Sequence, residues 1–193
     1  MAQALDEAPA RRLQSAGMNL AVGEFGSGRR WLVRNPGRKF DAIVMNTSYN
    51  WRSNVSNLLS TEFLQLVRRH LNPGGVHFYN TTDSKEAMLT GVSVFPFGMR
   101  LANFMAVSDE PLQLDASRWL EVLSRYKIDG KQVFDLSQEQ QRRRLQEVMA
   151  MVTTMDSDIR PEFFTLESAD HIRARTASVR VITDDNMGTE WLQ

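Results

Sequence analysis

Phe40-Asp41-Ala42-Ile43-Val44-Met45-Asn46-Thr47-Ser48-Tyr49-Asn50-Trp51 reads as a buried strand that runs directly into a cluster of small polar and aromatic residues. In an open α/β sheet, ligands sit in the crevice beyond the carboxyl ends of the strands, so residues 46 to 51 are placed to line a substrate site. The segment that follows agrees. From Ser60 to Leu71 apolar residues recur at Phe63, Leu64, Val67 and Leu71, with Ser60 as N-cap, Glu62 in the first turn and Arg68, Arg69 and His70 in the last. That pattern predicts a helix with one face on a sheet. Asn72-Pro73-Gly74-Gly75 stops it, and Val76 to Asn80 begins a second strand. Strand, crossover helix and strand make a right-handed βαβ unit.

The composition bounds the rest. A chain of 193 residues that is 42% apolar can fill one core. Lys plus Arg and Asp plus Glu both number 23, so no net field favours nucleic acid or an anionic membrane. The absence of cysteine removes disulfides, thiolate nucleophiles and thiolate metal sites. His70, His77 and His171 are too scattered to read as a metal triad, and His77 reads as structural. No apolar run reaches the roughly 18 to 20 residues of a membrane span, and 1–17 has no signal-type apolar centre. The expectation is a cytoplasmic protein without metal, membrane or nucleic-acid partner.

Outward from the βαβ unit, 1–17 is polar and poorly defined, Met18 to Glu24 alternates as a short strand, and Gly26-Ser27-Gly28 makes a tight turn into a short helix over Arg29 to Arg34. After Asn80, Asp83 or Ser84 can cap a short helix, Lys85 to Thr90. Val92 to Phe97 and Leu101 to Ser108 read as two further strands, an antiparallel pair at a sheet edge, separated by Gly98-Met99-Arg100. From Asp115 the pattern turns helical, with Trp119, Leu120, Leu123 and Tyr126 on one face. Ser137 and Gln140 have capping-box spacing ahead of a helix striped by Leu145, Val148, Met149 and Val152. Arg142-Arg143-Arg144, with Glu139 and Glu147 four residues from one or another of them, reads as a solvated face. The expected fold is α/β: a partial Rossmann-like sheet over 18–112 with a helical C-terminal extension over 113–193. A three-glycine run at 23–28 has no room before it for a βαβ unit with an acidic ribose-binding residue, so it is weak as a dinucleotide fingerprint.

Several stretches resemble the spermidine/spermine synthase family, the aminopropyltransferases built on the class I S-adenosylmethionine-dependent methyltransferase fold. They are Gly28-Arg29-Arg30-Trp31-Leu32, Phe40 to Asn46, Leu58 to Phe63, Leu71 to Val76 and Thr183-Asp184-Asp185-Asn186. The chain is most similar to divergent bacterial spermidine synthase-like proteins, over the later part of that fold. The family's N-terminal β-hairpin and glycine-rich first loop have no counterpart.

The resemblance implies transfer of an aminopropyl group from decarboxylated S-adenosylmethionine to an amine such as putrescine. It places the nucleoside cofactor at Ser27, Gly28, Asn46 and Thr47, the amine at Tyr49, Trp51, Asp184 and Asp185, and the chemistry at Asn46 and Tyr49. Polyamine synthases commonly dimerise, so a homodimer is implied too. Two departures matter. Where the family carries an Asp-Gly pair that holds the adenine, this chain has Ser27-Gly28, and where it carries a carboxylate run after the fourth strand, this chain has Asn46-Thr47-Ser48-Tyr49-Asn50. A carboxylate accepts a proton and offsets the charge of a sulfonium and a polyamine; an asparagine amide only orients a donor. If the chemistry survives, Asp83 or the Asp184-Asp185 pair has to substitute. Asn46-Thr47-Ser48-Tyr49 also resembles the Asn-Pro-Pro-Tyr motif of amino-group methyltransferases, which keeps open an S-adenosylmethionine-dependent amine N-methyltransferase. A non-catalytic remnant or fragment of the family is the third reading.

Overall fold

The computed structural model describes residues 28–46, 56–156 and 166–186. The expected strand at 18–24 and the segment 1–17 lie outside them, as do Ser27, Thr47, Tyr49 and Trp51. The described chain is mixed α/β: a five-stranded mixed sheet with helices on one face, and a small helix–hairpin–helix unit beside it. Helix α1 (Gly28–Arg34) leads through an Asn35-Pro36-Gly37 turn to β1 (Phe40–Met45). Helix α2 (Thr61–Arg69) then crosses to β2 (Leu71–Asn80), which pairs with β1 in parallel, Ala42 opposite Val76 and Met45 opposite Tyr79. The βαβ reading holds at its centre. Ser60 caps α2 by accepting the Phe63 N–H at 3.2 Å, and Phe63, Leu64, Leu66 and Val67 are buried. The strand begins earlier than expected, because Leu71 already pairs with Phe40 and the pairing shifts register before Val76.

The next element corrects the sequence reading. Val92 to Val94 does not belong to a strand: helix α3 runs over Lys85–Val94, capped by Ser84, and the antiparallel pair is β3 (Phe97–Leu101) with β4 (Phe104–Ser108), turning at Ala102-Asn103. Tertiary packing decides this against the β propensity of the valines. Ala87, Met88, Gly91 and Val92 form the helix face that meets the sheet, and Gly91 lets the ring of Tyr79 lie close, since a Cβ there would stand 2.1 Å from the Tyr79 hydroxyl.

The C-terminal part also departs from a purely helical extension. Helix α4 (Ala116–Arg125), a two-strand hairpin β5 (Lys127–Ile128) and β6 (Lys131–Gln132), and helix α5 (Glu139–Thr153) pack together, but β7 (Leu166–Ser168) joins the main sheet beside β3, ahead of helix α6 (Ala169–Arg175). The capping box at Ser137 does not form: Gln138 holds the N-cap position of α5 with no side-chain bond, and the Ser137 hydroxyl donates to Asp135 instead. Sheet order is β1-β2-β4-β3-β7, parallel only between β1 and β2. Glu167 of β7 and Arg100 of β3 form a buried ion pair that also draws in Arg175, and Arg175 and Arg100 hold the carboxylate charged against the opposing effect of burial.

His77 and Tyr79 lie stacked, 4.9 Å between ring centres, under the helices. The His77 Nδ1 is 2.9 Å from the Ile43 carbonyl, its Nε2 is buried without a partner, and burial brings its pKa down to about 4. The ring is therefore neutral in the folded protein, while the unfolded chain binds a proton near pH 6.5. Between those values the unfolded state holds more protons, so stability is complete above about pH 6.5 and falls as pH drops toward 4. Urea titrations at pH 7 and pH 4.5 should show a loss of about 2 kcal/mol attributable to this residue, which His77→Leu removes. Gly91→Ala should lower stability by about 1 to 3 kcal/mol through overpacking against Tyr79, and Tyr79→Phe in that background should recover part of the loss.

Candidate functional site

Parallel pairing puts the carboxyl ends of β1 and β2 on one edge; the crossover helix α2 starts from that edge, and the contacts of Arg29 and Ser60 with Asp184 bring the start of α1 beside the cap of α2 there. The structure builds two polar clusters there. The first surrounds Asp184. Its carboxylate takes both terminal nitrogens of Arg29 from the first turn of α1, one of them at 2.8 Å, and the hydroxyl of the α2 cap Ser60 at 2.6 Å. Arg29 also donates to the Asn57 carbonyl at 2.7 Å. The Asp184 N–H reaches Glu62 at 3.0 Å, and the Thr61 amide donates to the Ile182 carbonyl at 2.8 Å. The Arg29 guanidinium is the main reason that Asp184 is held below the usual carboxylate range. The Glu62 carboxyl is also held low: burial pushes it up, but its own backbone N–H, the backbone N–H of Asp184 and the Thr61 hydroxyl all donate to it and outweigh that.

The second cluster terminates the strands. Asn80 donates to the Asn46 amide oxygen at 3.0 Å and accepts the Thr82 N–H at 2.8 Å, while Thr81 bonds the Asn103 carbonyl through both its amide and its hydroxyl. Thr82 and Asp83 both take left-handed backbone angles, φ 55° and 64°. Such a conformation is uncommon for any residue with a side chain and strained for a β-branched one, and it concentrates at functional edges.

Of the residues singled out from sequence, Gly28 opens α1, Asn46 follows β1 directly, and Asp184 and Asp185 sit in the Thr183–Asn186 turn, which is closed by reciprocal Thr183 and Asn186 bonds. The structure splits the acidic pair: Asp184 is bound up with Arg29 and Ser60, whereas Asp185 is exposed. Asp83 is exposed at the left-handed bend. Asn80-Thr81-Thr82-Asp83 reads from the sequence as a second candidate rim at a strand's carboxyl edge, whereas sequence reasoning gave no role to Arg29 or to Ser60 beyond its cap. The only signal for them was position, since each stands at the end of an element that opens on this edge.

A groove of about 370 Å3 lies at the other end of the sheet, around the start of β3, lined by Pro96, Met99, Leu112, Met155 and Arg173 among others. Arg173 spends its donors on the carbonyls of Val92, Phe95 and Pro96 and on Asp170. The groove's lining also holds Ser168, whose hydroxyl donates to Asp156 and caps α6, and Asp170, which is paired with Arg173. Among the described residues no group of three or more His, Asp or Glu could hold a metal ion, and no helix is long and apolar enough to cross a membrane. Compared with known proteins, the chain matches no protein-family model and no curated protein.

The Arg29–Asp184 pair is two-thirds buried and bidentate, geometry that makes an ion pair count. A double-mutant cycle with Arg29→Ala and Asp184→Asn should give a coupling of about 1 kcal/mol, with faster amide exchange over 182–186 in either single variant.

Proposed function

We propose that the chain is a spermidine synthase-like transferase that takes a nucleoside sulfonium, decarboxylated S-adenosylmethionine, and transfers its aminopropyl group to a small amine. One observation carries the reading. Gly28 and Arg29 at the start of α1, Asn46 at the end of β1 and the Asp184-Asp185 turn come to the same carboxyl edge of a parallel strand pair, although more than 150 residues of chain separate the first from the last. That edge is where open α/β sheets hold their ligands.

The chemistry is a displacement at carbon. The lone pair of the amine nitrogen attacks the methylene next to the sulfonium, the carbon–sulfur bond breaks, its electron pair stays on sulfur to give methylthioadenosine, and the new ammonium sheds a proton. In this reading Asn46, fixed through its amide oxygen by Asn80, orients the amine by hydrogen bonding and takes no proton. The amine therefore has to arrive as the free base, so turnover rises with pH toward the amine's own pKa, near the ordinary lysine value of about 10.4. Asp184, neutralised by Arg29, shapes the rim, and exposed Asp185 supplies the attraction for the distal ammonium.

Calorimetric titration with decarboxylated S-adenosylmethionine, S-adenosylmethionine and methylthioadenosine tests this directly. Micromolar binding that prefers the decarboxylated form is the expected result; tighter binding of S-adenosylmethionine with labelled methyl transfer would assign amine N-methylation instead, and binding of none would point to a non-catalytic remnant. Asn46→Asp should raise aminopropyl transfer at pH 7.5 by at least about tenfold and flatten its rise with pH, because a positioned base is worth about 10² to 10⁴ in rate.

A further inference from the structure

A carboxamide carries a carbonyl oxygen on one side and an NH2 on the other, and its neighbours decide which of the two faces a ligand. At the end of β1 they decide it for Asn46. The Thr82 backbone N–H can only donate, and it meets the Asn80 side chain at 2.8 Å, an Asx turn that fixes the Asn80 oxygen as acceptor. The Asn80 NH2 is then the group that meets Asn46 at 3.0 Å, so the Asn46 oxygen has to accept. That leaves the Asn46 Nδ2 on the other side of the amide. Asn46 is exposed, and among the described residues this nitrogen donates to nothing.

The bend behind this arrangement is anchored on both sides. Thr81 is fully buried and holds the Asn103 carbonyl through its amide at 2.7 Å and its hydroxyl at 2.9 Å. The Ser84 N–H donates to the Thr81 carbonyl at 3.0 Å, and Ser84 caps α3. Between these anchors Thr82 and Asp83 keep their left-handed angles, which persist only where the surroundings impose them. The Asx turn is therefore held in place at the end of β2.

An exposed donor at this point limits what it can meet. In the proposed aminopropyl transfer, on which this inference rests, the lone pair of the attacking amine goes to carbon and cannot also accept a hydrogen bond. The distal ammonium and the sulfonium carry no acceptor either. The nucleoside does, in its ribose oxygens and ring nitrogens. The second lone pair of the Asn46 oxygen stays available for an N–H of the amine.

We propose that Asn46 bridges the two reactants, its Nδ2 donating to an acceptor of the nucleoside and its oxygen taking an N–H of the attacking amine, and that Asn80 is the positioning residue that sets this polarity.

Asn80→Asp reverses the polarity and keeps the shape. A carboxylate still accepts the Thr82 N–H but offers Asn46 a second acceptor, so the Asn46 amide turns over and shows its oxygen to the nucleoside. Side-chain amide NMR of the unliganded protein reads the orientation. A downfield, slowly exchanging NH2 proton should belong to Asn80 in the wild type and to Asn46 in Asn80→Asp; such a proton on Asn46 in the wild type overturns the proposal. Calorimetric titration with methylthioadenosine, which is uncharged, reads the consequence. Asn80→Asp should weaken binding about five- to thirtyfold, and in an Asn46→Ala background the same change should have no further effect. Unchanged affinity in the single variant, or an equal loss without the Asn46 amide, overturns the proposal as well. If the wild type shows the NMR signature but binds no methylthioadenosine, the transferase reading fails and the nucleoside partner with it; if it binds methylthioadenosine without the signature, the bridging inference alone fails.

Discussion

Two strands that run the same way cannot be joined by a tight turn, and that constraint organises this protein. Because β1 and β2 are parallel, the chain between them has to return across a face, and α2 is the return. The two strand ends, the cap of α2 and the first turn of α1 then face one edge. The same constraint explains the core. Ile43, Met45, His77, Tyr79, Met105 and Val107 line the face under the helices, and Gly91 opens the space that the Tyr79 ring fills.

The last described segment ties the ends at this edge together. Strand β7 is fastened to β3 by the buried Arg100–Glu167 pair, α6 follows, and Ile182 is buried with its N–H on the Thr90 hydroxyl. The chain then arrives at α1 and α2, where Asp184 meets Arg29 and Ser60. Breaking either charged pair by removing one partner leaves the other charge poorly solvated, most severely for Arg100 and Glu167. Electrostatics thus couples the farthest part of the chain to the rim.

That coupling bears on the proposed aminopropyl transfer. A carboxylate already shared between a guanidinium and a hydroxyl has little capacity left for a cationic ligand, so the acidic pair divides its labour between holding the rim and meeting solvent. At the end of β1, an amide fixed by a second amide replaces the proton acceptor that the resemblance would place there. Both features favour orientation over proton transfer.

What the sequence determined by itself was local. The apolar run at 40–45 and the capped and charge-matched helix at 61–69 could be read, and so could an antiparallel pair ending at Ser108, although its first strand and its turn were placed several residues early, because each is written in periodicity or caps within about a dozen positions. Asn46 at the rim followed from the strand that carries it. Tertiary structure decided the rest. Val92 to Val94 became helix because the Ala87–Gly91 face packs on Tyr79, Leu166–Ser168 became a fifth strand because Glu167 finds Arg100, and Asp184 became a rim clamp because Arg29 stands 155 residues away in sequence and 2.8 Å away in space. Short-range patterns encode which backbone shape a segment prefers, but the partner of a buried charge or the ring that fills a glycine's gap is set only when distant segments meet.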